Sequence, residues 1–197
     1  MVRIVVLALS CALSFAASAQ TPAPTLRGVV AAVSGDALTV TSRAGGSVSV
    51  RLGPKTRIVA VVAATPADPK ANAFIGVAAV PEGDGLKALE VHIFPEAMRG
   101  TGEGFRPFDL APGSSMTNGA LDARVSGVDG DRLTVTYKGG SQQIRLPAEA
   151  PIVAFSPGDR GDIKPGVAAI VRGSTGADGV IDAAAVIVGR NGVVPPM

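Results

Sequence analysis

Gly35-Asp36-Ala37-Leu38-Thr39-Val40-Thr41 returns 95 positions later as Gly130-Asp131-Arg132-Leu133-Thr134-Val135-Thr136. With one residue of slip, Gly45-Gly46-Ser47 matches Gly139-Gly140-Ser141, Arg51-Leu52 matches Arg145-Leu146, and Ile58-Val59-Ala60 matches Ile152-Val153-Ala154. Further along, Gly76-Val77-Ala78-Ala79-Val80 is matched with Gly166-Val167-Ala168-Ala169-Ile170, and Asp84-Gly85 with Asp178-Gly179. Matches in one conserved order describe an internal duplication, so the chain is expected to build the same unit twice.

Each copy reads as short β-strands. In the first, 29–33, 38–42, 47–52, 58–62, 76–80 and 86–93 are rich in β-branched residues. Gly35-Asp36, Gly45-Gly46 and Asp84-Gly85 fall in the gaps, where tight turns need the positive φ that glycine adopts without strain. In the second copy the corresponding runs are 123–128, 133–137, 142–146, 152–155, 167–172 and 180–188. Pro54, Pro66, Pro69, Pro151, Pro157 and Pro165 are expected between strands, because proline has no amide hydrogen to give to a ladder. Strands at this spacing predict an all-β fold of two tandem small barrels.

The expected divisions are a leader over 1–19, a linker over 20–25, a first barrel over 26–93, a connector over 94–119, a second barrel over 120–190 and a tail over 191–197. A unit of about 70 residues buries only about 60% of its unfolded surface, so one copy alone is marginal. The two are therefore expected to share apolar surface.

Residues 1–19 have the plan of a secretory signal: Arg3 near the start, an apolar run over 4–15, and Ala17-Ser18-Ala19 as a small-residue cleavage site. Cleavage after Ala19 predicts a periplasmic or secreted protein with no remaining spanning segment. The run is too short for a membrane helix, which needs roughly 20 apolar residues. Of 18 basic residues Arg3 leaves with the leader, so 17 face 16 acidic ones and the mature charge is +1. Such balance, with one Tyr and no Trp, lacks the basic and aromatic surface of a nucleic-acid binder. Cys11 leaves too, which removes any disulfide, and the single His cannot supply a multi-histidine metal cage.

The connector has no counterpart in the other copy. Loops beyond roughly 12–15 residues are uncommon in compact domains. This one carries Phe94, Phe105 and Phe108 with Met98 and Met116, which need somewhere to bury, and it is expected to clasp the junction of the barrels. Pro95-Glu96-Ala97-Met98-Arg99-Gly100 reads as a short helical turn. Gly100-Thr101-Gly102-Glu103-Gly104 has neither the spacing nor the strand-and-helix setting of a phosphate loop. His92, Met98 and Met116 offer one imidazole and two thioethers, donor types suited to Cu(I). Glu96, Glu103 and Asp109 beside Arg99 and Arg106 allow either a carboxylate acid/base pair or simple ion pairing.

The order of Gly/Ala-x-Val, turn, Leu-Thr-Val-Thr, Gly-Gly, Lys164-Pro165-Gly166-Val167, Asp-Gly and a last strand resembles the OB-like β-barrel domains of exported bacterial proteins of unknown function. Proteins that look like this, with a Phe-Pro-Glu-Ala-Met-Arg-Gly-Thr-Gly-Glu-Gly segment, are sometimes labelled metal-transport permeases; this chain has no series of spanning segments to support that label. The resemblance implies fold. The function expected is a non-enzymatic binding or interaction module, engaging a small ligand or an envelope protein. A periplasmic Cu(I)-binding protein is the alternative, and a carboxylate-based hydrolase the third.

Overall fold

The computed structural model describes residues 25–196, so the expected leader and its cleavage after Ala19 lie outside the described residues. Strands occupy the segments between the turn signals: β1 (Thr25–Ser34), β2 (Ala37–Ser42), β3 (Ser47–Ala64), β4 (Phe74–Glu82), β5 (Gly85–Ile93), β6 (Gly104–Pro107), β7 (Ser115–Val125), β8 (Asp131–Tyr137), β9 (Gly140–Leu146), β10 (Ile152–Pro157), β11 (Ala168–Thr175) and β12 (Ile181–Gly189). Gly45 and Gly46 turn β2 into β3 at φ 98° and 77°, values closed to most side chains. Among the described residues no helix is long and apolar enough to cross a membrane.

The fold is all-β, as the pattern predicts, but each barrel is assembled from both copies. β1, β2 and β3 pair antiparallel in order. That ring is then closed by the last hairpin of the chain: β11 lies antiparallel to β1 with Thr25 opposite Arg172, and β12 runs parallel to β3 with Ile181 opposite Val50. The other ring takes β7, β8 and β9 with β4 antiparallel to β7. Its closing contact is short, β5 meeting β9 at Leu86–Ile144 and Lys87–Arg145. The first copy's β4–β5 hairpin thus completes the second copy's barrel, and β11–β12 completes the first.

The run of β3 spans both barrels. At about 3.3 Å per residue its 18 residues carry the chain roughly 50–60 Å, past the first barrel and along the second copy's β10. Pro54 does not interrupt β3 as expected. It sits in an irregular stretch, where Leu52 pairs with Ala183 and the next ladder pair is Arg57 with Ala185, so its missing amide hydrogen costs no bond. Gly53 and the backbone of Ala183 are bridged there by Thr56 Oγ1, at 2.8 and 2.6 Å. In the second copy, Pro147 and Pro151 bracket the corresponding break between β9 and β10.

The β3–β10 ladder relates the copies by an approximate two-fold. Val61 pairs with Phe155, which lies 94 positions later, so each residue faces its own counterpart at the centre. Close backbone approaches repeat too. A Cβ on Gly28 would stand 2.1 Å from the carbonyl oxygen of Thr41, and one on Gly119 2.3 Å from that of Thr136. Asn72 and Gly166 both take positive φ, 62° and 86°, and their amides bond to Leu121 and Val30. Asn72 therefore occupies the place of Gly166, and the expected matching of Gly76–Val80 with Gly166–Ile170 is four residues out of the structural register. Alanine and valine repeat so densely there that the wrong offset scores well.

Three apolar clusters result. One fills the first barrel around Val30, Val40, Val50, Val171 and Val186; another fills the second around Val77, Val91, Leu121, Val135 and Ile144. A third lies between them and joins Val61, Phe74, Phe94, Val153, Phe155, Ile170 and Ile187.

Candidate functional site

Strand alternation sends odd-numbered β4 residues into the second barrel and leaves Gly76 and Ala78 on its outer face. Ladder pairing then lines up two rows across β5, β4, β7 and β6: Glu90, Ala78, Met116 and Arg106, and beside it His92, Gly76, Asn118 and Gly104. Gly76 must be small, because a Cβ there would lie 2.7 Å from Asn118 Oδ1 and 3.0 Å from the Phe94 ring. The first barrel presents the matching rows Arg57, Ala185, Arg172, Thr25 and Val59, Ile187, Ile170, Arg27. By register, Ala185 and Ile187 stand where the second barrel has Glu90 and His92.

Between these faces lies a cleft of about 550 Å³, within the size range of small-molecule sites. Phe94, Phe155, Met116, Ile187 and Ala185 give it apolar walls, and Met98 and Phe108 close it from the connector. Phe94 holds the wall together edge-on, 5.4 Å from the Phe74 ring and 5.0 Å from that of Phe155, and the His92 ring is 5.4 Å from Phe155.

The polar groups are less well satisfied. His92 Nε2 and Glu90 Oε1 approach to 2.9 Å, with both side chains 1% exposed. The two atoms lack the alignment of a directed hydrogen bond, and neither they nor Asn118 Oδ1 has a hydrogen-bond partner among the described residues. Leaving a buried polar group unmatched costs about 1–3 kcal/mol, which a ligand could recover. Asn118 Nδ2 does donate to the carbonyl of Thr101, at 2.9 Å.

Three guanidinium groups, Arg57, Arg106 and Arg172, line the cleft, and no carboxylate does. Arg106 donates to the Gly102 carbonyl at 2.6 Å, and burial holds its pKa below the usual arginine value. The Arg172 pKa is pushed down first by burial and then by the neighbouring charges of Arg27 and Arg106. Arg27 is held by Asp109 through bonds of 2.8 and 3.1 Å, and its guanidinium keeps the Asp109 carboxyl below its ordinary range.

The sequence candidates divide in two. His92, Phe94, Met98, Arg106, Phe108 and Met116 come together on the cleft. Glu96, Arg99, Glu103 and Phe105 do not. Glu96 and Arg99 pair at 2.5 and 2.9 Å, Arg99 also donating to the Asn72 carbonyl and lying 5.8 Å over the Phe74 ring. That pairing lowers the Glu96 pKa. Glu103 accepts the backbone amide of Lys138 at 2.9 Å. Two carboxylates so engaged, off the cleft, do not form a pair across a substrate. Phe105, 46% exposed on β6, does not pin the junction as expected. Nor is the connector simply loop, since 104–107 pair with 115–118 as β6 and the start of β7.

Sequence reasoning missed Arg57, Phe155, Arg172 and Ala185, which come from the body of the repeats. The available signal was Arg172, a charge that ends the apolar run Ala168-Ala169-Ile170-Val171 at the place of Ala78. Among the described residues no group of three or more His, Cys, Asp or Glu is placed to hold a metal ion. Comparison with protein-family models, with curated proteins and with solved structures finds no match to this chain.

Proposed function

We propose that the chain is a non-enzymatic binding module, exported to the bacterial envelope, whose ligand occupies the cleft between the barrels. The observation that carries this is a cleft of small-molecule size between the barrels, walled by Phe94, Phe155, Met116 and Ile187 and lined by three arginines. Export rests on the leader pattern of residues 1–19, and the relationship to exported OB-like barrel proteins on the repeat motifs. Neutral N-phenyl-1-naphthylamine should bind saturably, one molecule per mature chain, with a rise in fluorescence. Ala185→Trp, which fills the cleft from its first-barrel wall, should weaken that binding by at least about tenfold while circular dichroism is unchanged. No binding to the parent, or equal binding to the variant, would refute the proposal.

A second reading is favoured by one fact, that His92, Met98 and Met116 all line this same cleft. An imidazole and two thioethers suit Cu(I), and Cu(I) would have to displace the contact of His92 Nε2 with Glu90 Oε1 at 2.9 Å. In the same comparison, tight Cu(I) binding that is lost in both His92→Ala and Met98→Ala would support this reading; weak binding, or binding unchanged in them, would remove it.

A further inference from the structure

We propose that the ligand is a small organic anion, one carboxylate, sulfonate or phosphate group on an aromatic or alkyl body. This rests on the cleft being a ligand site and adds its chemical class. The argument is charge placement. The mature chain is nearly neutral, with 17 basic and 16 acidic residues, yet the cleft collects Arg57, Arg106 and Arg172 and no Asp or Glu.

The placement comes from both halves of the chain. Arg57 and Arg172 flank Ala185 in one ladder row of the first barrel, since Ala185 pairs with both. Arg106 enters from the facing wall, where β6 sets it beside Met116. A fourth arginine, Arg27, lies one row away and pairs with Asp109. The Arg172 pKa is lowered first by burial and then by the charges of Arg27 and Arg106, with Asp109 acting the other way. Planar guanidinium groups donate in pairs to a carboxylate, sulfonate or phosphate, so three of them on one cleft suit an anionic head.

The rest of the cleft fits the body of such a molecule. Phe94, Phe155 and Ile187 offer an apolar bed, and the Phe rings present edges and faces to an aromatic or alkyl group. A recess between two barrels, with Met98 and Phe108 at its edge, suits a free small molecule rather than a flat membrane surface. The occupant is therefore amphipathic and dissolved.

The probes are two fluorophores that differ by one charge, 8-anilinonaphthalene-1-sulfonate and the neutral N-phenyl-1-naphthylamine. The sulfonate should bind the mature protein at least about tenfold more tightly, and this preference should disappear in Arg106→Gln/Arg172→Gln while the neutral probe binds as before. Arg43→Gln, in the β2–β3 turn, should leave both affinities unchanged. Sodium chloride should weaken sulfonate binding to the parent protein and spare the neutral probe, a comparison independent of how the double variant folds. Equal affinities without salt dependence, or a sulfonate preference that survives in a folded double variant, overturn the anion assignment while the cleft stands. Failure of both probes overturns the cleft and the assignment together.

Discussion

Removing residues 164–197 should unfold the barrel that begins the chain, and leave the one in the middle. The deletion takes β11 and β12, and with them Ala169, Val171, Ile181, Ala183, Val186 and Val188 from the first barrel's core. It also bares the edges of β1 and β3 that those strands cover. What remains of that barrel is a three-stranded meander with an open core, and the loss should equal its entire stability, on the order of 5 kcal/mol or more. Amide hydrogen exchange should show residues 37–52 losing protection to the unfolded rate, while 131–146 keep much of theirs. If each copy closed its own barrel the result would be reversed: 37–52 would stay protected and 131–146 would not.

Phe155→Ala should destabilise the whole molecule. Phe155 is 8% exposed, meets Phe94 and His92 ring to ring, and pairs with Val61 at the centre of the β3–β10 ladder. Truncating such a side chain costs about 3–5 kcal/mol, the transfer of its atoms plus the cavity left behind. For a chain of this size that corresponds to a melting temperature lower by about 6–20 °C. Because the third cluster joins both barrels, thermal melting should remain one transition. Phe105→Ala serves as the contrast, since an aromatic ring 46% exposed on an edge strand should change the melting point by no more than about 2 °C. A small effect of Phe155→Ala, or two separated transitions in the parent protein, would contradict the shared core.

The elements were legible because local chemistry decides them. Gly35, Gly45-Gly46 and Gly139 mark turns, the Leu-Thr-Val-Thr runs alternate, and the strands β2, β5, β8 and β9 lie close to where the pattern puts them. The partners of those strands were not legible. Ile181 against Val50 is a contact across 131 positions, and sequence runs as similar as these offer the same apolar face to either barrel. The run of β3 through Pro54 carries the chain from one barrel to the other, and a proline there argues from sequence for a break. The site followed the same division. His92, Met98 and Met116 stood out as rare residues near one segment, and they do share the cleft. Arg57 and Arg172 lie 115 positions apart and meet only because β12 sits between β3 and β11.

The exchange of hairpins is what sets the two outer faces against each other, so it is the claim on which the cleft depends. A pair of engineered cysteines tests it in a chain of residues 20–197, which contains no cysteine of its own. Val29 and Ala168 are directly opposed across the antiparallel β1–β11 pair, a geometry that accepts a disulfide. If the copies did not exchange, Phe74 would take the place of Ala168. Val29→Cys/Ala168→Cys should oxidise to an intramolecular disulfide in the monomer, and Val29→Cys/Phe74→Cys should remain reduced. The opposite pattern, a bond to position 74 and none to 168, would show that each copy closes its own barrel and would contradict the account.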